Sequence, residues 1–414
     1  MQFRLLPRRT QHQALERIAE DQRQLHNAAV QERIDAFHKA GKSIAYFDQT
    51  RGLTEWRKSD PDARSVPVKL QRATLKRVDQ TFKAFYRRRS SGMKAGFPRF
   101  KGKGRYSSFG FSEWKGISLE NGGLRFQGMP GRLRVHWHRA APPVESLKGC
   151  VFKRDAKGWV ATLLVSIEAA GPRHSRHMVG VDLGISSFAA LSDGAVIPSL
   201  RCARRAEREL RIAQRTLSRS KKGSSGRRKA RAALSRCHAA VASQRKNHLH
   251  QASARLVREY DIIVLERLNV GALANSILAK DVRDASWARF ISMLRYKAEC
   301  AGARLIEVDP YDTSQECSGC GEPVPKKLKM RLHECPHCGL ILDRDINAAR
   351  NILNRASVGP GLLNVAGYGK RAGGNIDADL EVASASSHAR QDSNFSELGQ
   401  EGGRPAPETR KPTA

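Results

Sequence analysis

Residues Tyr311–Ala356 read YDTSQECSGCGEPVPKKLKMRLHECPHCGLILDRDINAARNILNRA and hold two Cys-x2-Cys pairs, Cys317/Cys320 and Cys335/Cys338, with fourteen residues between them. This is close to the four-thiolate zinc-ribbon spacing, in which small residues around each pair let two sulfurs face one ion. The pairs sit in SGCG and PHCG, which read as tight turns. Unpaired core cysteines are the alternative, but Lys326, Lys327, Lys329 and Arg331 make the intervening loop too polar for a core. The spacing predicts one structural Zn²⁺ within residues 313–340.

Directly after the second pair, Asp343 and Asp345 precede a helix in which Ile346, Ala349, Ile352 and Leu353 share a face. An aspartate at a helix start is ordinarily an N-cap, so any chemical role has to be supported from elsewhere in the chain. MVGVDLGI (178–185) is an apolar strand carrying one acid, Asp182. Such a charge is costly unless it is ion-paired or bound to metal. DIIVLERLNV (261–270) gives a second apolar strand, Ile262 to Leu265, ending in Glu266, and RLIEVDP (304–310) a third. Asp309 also ends a strand, but Pro310 directs the chain away, which marks it as structural. This alternation of strands and helices predicts an α/β layer. In such a layer Asp182, Glu266 and Asp345 can converge at one sheet edge. Three packed carboxylates raise one another's pKa unless cations neutralise them. Mg²⁺ prefers such oxygen ligands, and two Mg²⁺ ions suit phosphodiester cleavage.

Composition points to the substrate class. The 414 residues carry a formal charge of +34, with 28% of them charged, which suits a foldable chain that attracts polyanions. The sequence has no run of eighteen apolar residues and no lipidation signal, and its basic start lacks the apolar core of a secretory signal. Cys150, Cys202, Cys237 and Cys300 are scattered, as reduced thiols would be. The expectation is a cytoplasmic, nucleoid-associated protein with no membrane partner and no obligate protein partner.

Upstream, Phe3 to Leu6 reads as a strand. A helix should follow to Ala40, started by a Thr10/Gln13 capping box. Ser59 to Ser65 marks a connection, and a second helix starts near Pro67. Leu75, Val78, Phe82 and Phe85 are its packing stripe, while Lys69, Arg72, Lys76 and Lys83 make a basic face. In GFPRFKGKGRYSSFGFSEW, Phe97, Phe100, Tyr106, Phe109 and Phe111 interleave with Arg99 and Lys101, a pattern that can stack on bases and hold phosphates. Residues 116–168 alternate as strands with a hairpin at Asn121-Gly122. The first 170 residues therefore read as a small β-barrel with a helical insertion. Residues 201–250 form a helical hairpin broken near Gly223, with sixteen Lys/Arg against only Glu207 and Glu209, so this face should repel itself without a polyanion.

The motifs GVDLGI (180–185), RKNHLHQASARLV (245–257), IVLERLNV (263–270), TSQECSGCG (313–321), CPHCG (335–339) and DRDINAARNIL (343–353) resemble the TnpB family. These are the OrfB proteins of IS200/IS605-type transposons, RNA-guided DNA endonucleases related to type V CRISPR nucleases. PRFKGK (98–103) and the helix near Gln71 to Arg87 resemble the family's N-terminal part. The resemblance implies an α/β plus β-barrel architecture. An OB-like β-barrel (WED, 1–176) would carry a helical REC insertion at about 11–95. A RuvC-like domain of RNase H fold (177–356) would carry the zinc ribbon (313–340), and a disordered tail would follow (357–414). It also implies that Asp182, Glu266 and Asp345 are catalytic acids holding Mg²⁺, with Asp343 the fallback for the last, and that Cys317, Cys320, Cys335 and Cys338 hold zinc. The partners implied are a guide RNA from the transposon end and target double-stranded DNA beside a short adjacent motif. The resemblance has departures: the family often carries an aromatic near His26, and the loop Gly321 to Glu334 is longer than in compact relatives. Competing readings are a transposase that itself joins strands, a non-cutting RNA-guided repressor, and a plain RNA-binding zinc protein. The last leaves Asp182 and Glu266 unexplained.

Overall fold

The computed structural model describes residues 1–173, 177–269, 279–326 and 330–358, and Met1–Arg355 form one compact unit. The tail expected to be disordered lies, from residue 359 on, outside the described residues.

Strand β1 (Gln2–Leu6) is followed by α1 (Arg9–Ala40), α2 (Tyr46–Ser59) and α3 (Val68–Ser90). α1 buries Leu15, Ile18, Gln22, Ala29 and Val30 at helical spacing and stops where Gly41 adopts φ 61°, a left-handed cap. The expected Thr10/Gln13 box is not the cap. Instead Gln11 accepts the Arg8 N–H at 3.0 Å and donates to the carbonyls of Pro130 and Arg132 at 3.0 and 2.9 Å. The start is set by a sheet more than a hundred residues away, which no local pattern reveals. Periodicity did not predict α2 because only Gln49 and Leu53 of it are buried, too thin a stripe to register.

Arg33 ties the three helices together, donating to Gln49 at 2.9 Å and to Asp79 at 3.0 Å. Arg33 and Asp79 are 8% and 9% exposed, and Lys83 also reaches Asp79 at 2.8 Å, so removing Arg33 leaves the buried carboxylate one of its two cationic partners. Arg33→Met should cost about 2 kcal/mol, read as a lowered denaturation midpoint; a change under ~0.5 kcal/mol would contradict it. His26 packs at 5.8 Å from Tyr106, and burial, aided by Lys101, pushes its pKa down to about 4. It serves as a neutral ring packed inside the helical layer.

The next strands are β2 (Ser108–Phe111), β3 (Ile117–Glu120), β4 (Gly123–Phe126), β5 (Leu133–His136), β6 (Leu147–Asp155) and β7 (Gly158–Val165). With β1 they form a barrel-like antiparallel sheet in the order β2-β6-β7-β1-β5-β4-β3. The β3–β4 hairpin turns at Asn121 (φ 44°) and Gly122 (φ 71°), as a two-residue turn with both φ positive requires. Phe3, Phe109, Phe111, Phe126, Phe152 and Trp159 fill the interior. This corrects part of the base-stacking expectation. Phe109 and Phe111 are core residues of β2 and Tyr106 is buried. Phe97, which touches Phe82 and Phe85 edge-on, and Phe100 remain exposed.

After the barrel come β8 (Met178–Leu183), β9 (Ser187–Leu191), β10 (Val196–Pro198), α4 (Cys202–Arg205), α5 (Glu207–Arg219), α6 (Ser225–Glu259), β11 (Ile262–Glu266), α7 (Ala279–Ala285), α8 (Trp287–Cys300) and β12 (Arg304–Val308). The sheet order is β10-β9-β8-β11-β12, with β8, β11 and β12 parallel and β9 and β10 antiparallel. Val179, Val181, Ile263 and Leu265 pack with Leu249, Leu256, Phe290 and Leu294 of α6 and α8. The chain ends its described course in a short hairpin, β13 (Leu332–Glu334) and β14 (Ile341–Asp343), followed by α9 (Arg344–Val358).

Candidate functional site

Parallel pairing of β8 and β11 sets Val181 opposite Leu265, so Asp182 and Glu266 come next at the same end of neighbouring strands. α9 crosses β8 at Gly180, where a Cβ would lie 2.0 Å from the Ala349 carbonyl oxygen. Only glycine permits that approach, and it brings the start of α9 towards Asp182. Asp343 accepts the N–H groups of Asp345 (2.8 Å) and Ile346 (3.3 Å), so it is the N-cap. Asp345, one position into the helix, is held by Arg344 at 3.0 Å and Arg331 at 3.4 Å. Arg331 also donates to the Ser186 hydroxyl at 2.6 Å.

Burial, and then the charges of Glu266 and Asp345, push the Asp182 pKa up to about 8, against the pull of Arg344. Glu266 is raised as well, chiefly by burial, while the Thr313 hydroxyl and Arg355 oppose the rise. The site therefore takes up protons when no cation is present, which is the electrostatic condition under which carboxylates accept divalent ions. A carboxyl whose folded pKa lies above its unfolded value weakens folding as pH rises between the two. Asp182→Asn should therefore stabilise the metal-free protein at pH 8, by on the order of 2 kcal/mol after solvent screening, and hardly at all at pH 4. Equal melting shifts at both pH values would contradict this.

Several contacts that support this edge were not identified from sequence. Thr313 donates its hydroxyl to Glu266. Asn351 donates to the carbonyls of Thr313 (2.9 Å) and Glu316 (2.8 Å). Asn347 donates to Glu316 O at 2.7 Å and accepts the Ser318 N–H at 2.9 Å. The available signal was two amides four residues apart, Asn347 and Asn351, on the otherwise apolar, buried face of α9.

The four cysteines converge, with all four sulfurs within 4.8 Å of one another. Cys317 Sγ lies 3.6 Å from Cys338 Sγ, and Cys320 Sγ lies 3.6 Å from Cys335 Sγ. A tetrahedron of sulfurs at metal–sulfur bonds of about 2.3 Å has edges of about 3.8 Å, so the donor set fits a four-coordinate metal. Gly321 (φ 79°) and Gly339 (φ 74°) close the two turns, each donating its N–H to the first cysteine of its pair.

The six basic side chains proposed for nucleic-acid contact divide into two groups. Lys69 pairs with Glu113 and Lys83 with Asp79, each at 2.8 Å. Arg72, Lys76, Arg99 and Lys101 present exposed side chains without an ion pair among the described residues. Among the described residues, no helix is long and apolar enough to cross a membrane.

Acids at the ends of neighbouring parallel strands, beside a four-thiolate cluster and on a basic chain, define a nucleic-acid-processing class. A family model described as OrfB_IS605, probable transposase, matches residues 163–276, and one for the Cas12f1-like TNB domain matches residues 287–352. A protein of Streptomyces pristinaespiralis named "Putative RNA-guided DNA endonuclease" is 33% identical over 360 residues, covering 85% of this chain and 87% of its own. Its Escherichia coli K12 namesake InsQ is 27% identical over 374 residues, covering 85% and 90%. The chain belongs to the TnpB family. A solved Cas12f1–sgRNA–target DNA complex shares the fold at TM-score 0.54 and 15% identity, over 83% of this chain and 82% of that one.

Proposed function

We propose that this protein is an RNA-guided, metal-dependent endonuclease that cuts double-stranded DNA beside a short adjacent motif, using a guide RNA from the transposon end. The observation that carries the chemistry is that Asp182 and Glu266 end neighbouring parallel strands and that the charges of Glu266 and Asp345, with burial, push the Asp182 pKa up to about 8. The family membership, with relatives named as RNA-guided DNA endonucleases, supports the guide.

On this reading the β8–β12 sheet with its helices is a RuvC-like nuclease layer, and the barrel with α1–α3 is a WED and REC pair. The Cys317/Cys320/Cys335/Cys338 cluster is a zinc ribbon that fixes the ribbon chain structurally. Asp182, Glu266 and Asp345 would hold two Mg²⁺, which supply an activated water and charge stabilisation for phosphodiester hydrolysis. The protein's own work is positional. Thr313 fixes the rotamer of Glu266, Asp343 caps α9 so that Asp345 stays in its first turn, and Asn347 and Asn351 hold the ribbon to that helix. Arg331 and Arg344 orient the Asp345 carboxylate.

The reading is tested by expressing the protein with its native flanking locus and sequencing the RNA that copurifies. One abundant species ending at the element boundary is expected; heterogeneous RNA or none would remove the guide from the account. A second reading, a transposase acting directly, draws on the transposase description of the matched family model. Strand joining by RNA-free protein would favour it.

A further inference from the structure

The strongly basic helical hairpin of α5 and α6 takes no part in the site described so far. On a helical wheel, Arg208, Arg211, Arg215 and Arg219 of α5 fall within an arc of about 80°. Leu210, Ala213 and Leu217 lie opposite, and Leu217 is buried. At the start of α6, Arg228, Lys229 and Arg231 are exposed while Ala230 is buried, so the exposed surface of the hairpin stays basic across its turn. Arg211 lies 3.4 Å from Glu207, whereas the side chains of Arg208, Arg215, Arg219, Arg228, Lys229 and Arg231 make no ion pair or hydrogen bond among the described residues. Arg227 works differently. It clamps the turn from inside by donating to the carbonyls of Leu217 (2.9 Å) and Ser220 (2.8 Å). The tip is thus a fixed structure that bears unneutralised charge.

Its position relative to the acids follows from two contacts along α6. Tyr260 donates its hydroxyl to Asp193, beyond the end of β9, while the His248 ring packs 5.0 Å from Phe188, at the start of β9. β9 runs antiparallel to β8, so Phe188 lies near the Asp182 end of the sheet. α6 therefore passes the catalytic edge at about His248, and Arg228, twenty residues earlier, projects about 30 Å beyond it. That is roughly one turn of a nucleic-acid duplex.

We propose that this α5–α6 tip grips the backbone of a base-paired segment of the guide RNA, about one duplex turn from the catalytic acids; this rests on the RNA-guided reading above. Three features select that occupant. The charge lacks an internal acid partner, so a polyanion resident throughout the protein's life relieves the repulsion better than a transient one. Residues 201–259 contain no Phe, Tyr or Trp, so the surface offers no platform for stacking unpaired bases. The exposed cations are mostly arginines, which fork onto phosphate oxygens without reading sequence.

The test is the variant Arg215→Gln/Arg219→Gln/Arg228→Gln/Arg231→Gln, with glutamine chosen to keep helix propensity. Its probe is the end-labelled RNA that copurifies with the wild type, titrated at several salt concentrations. The dissociation constant should rise at least about 30-fold at 0.15 M salt, and the salt slope should fall by roughly one unit per arginine. On the wild type, RNA should shield Lys221, Lys222 and Lys229 from acetylation, a readout independent of the variant's folding. Unchanged affinity and slope, or equal acetylation with and without RNA, would overturn the assignment. So would a loss confined to target-DNA binding by the RNA-loaded variant, which would make this a DNA surface. A wild type that binds no RNA at all would instead overturn the proposed function itself.

Discussion

Asp182→Ala should lower target-DNA cleavage at least about a thousandfold, ~4 kcal/mol of barrier, while guide-RNA retention stays at the wild-type level. Glu266→Ala and Asp345→Ala should do the same if, as proposed, all three acids hold the cations, since both charges already bear on Asp182. Asp343→Ala separates two roles. Asp343 is the α9 cap, with its carboxylate on the N–H groups of Asp345 and Ile346. Its removal should cost about 1 kcal/mol of stability and leave substantial cleavage. Single-turnover cleavage rates measured beside melting curves distinguish these outcomes. Full activity in Asp182→Ala would sink the catalytic assignment, and an inactive but stable Asp343→Ala would transfer Asp345's role to Asp343.

Loss of the thiolate cluster should be nearly as damaging, although no cysteine touches substrate. Cys335→Ser removes one ligand from a set whose sulfurs already lie within 4.8 Å of one another. The segment it holds is short of other support, with Cys317, Val324 and Cys335 as its small buried cluster. Damage should spread along named contacts, from the ribbon to Asn347 and Asn351, through Thr313 to Glu266. We expect one zinc per wild-type chain by metal analysis, less than a tenth of that in Cys335→Ser, and cleavage lower by at least about a hundredfold. Wild-type cleavage by a zinc-free Cys335→Ser protein would show that the ribbon does not position the acids.

Asp182, Glu266 and the cysteines stand out in the sequence because each breaks a local rule. Two are charges on apolar strands, and four are thiols repeated at a metal-binding spacing. The helices and hairpin whose signals are local were legible too, including the Asn121-Gly122 turn and the break near Gly223. What escaped depends on partners distant in sequence. Gln11 is enlisted as a cap by carbonyls of the Pro130–Arg132 turn, and Thr313 looks like any loop threonine until β12 brings it to Glu266. The aromatics at 106–111 resemble a stacking surface until β6 pairs with β2 and turns them inward. Lys69 looks free until Glu113 is placed beside it. Burial and long-range pairing decide all of these, and single-sequence periodicity contains neither.

The central claim is that base pairing by a bound RNA chooses where these acids cut. The direct measurement is to exchange the guide portion of the copurifying RNA for an unrelated sequence, reconstitute the protein with it, and map cleavage on a plasmid carrying both targets beside the same adjacent motif. The account predicts that cutting moves wholly to the new target, requires Mg²⁺, and disappears in Asp182→Ala. Cutting that stays at the old sequence, or that proceeds equally without RNA, would contradict it.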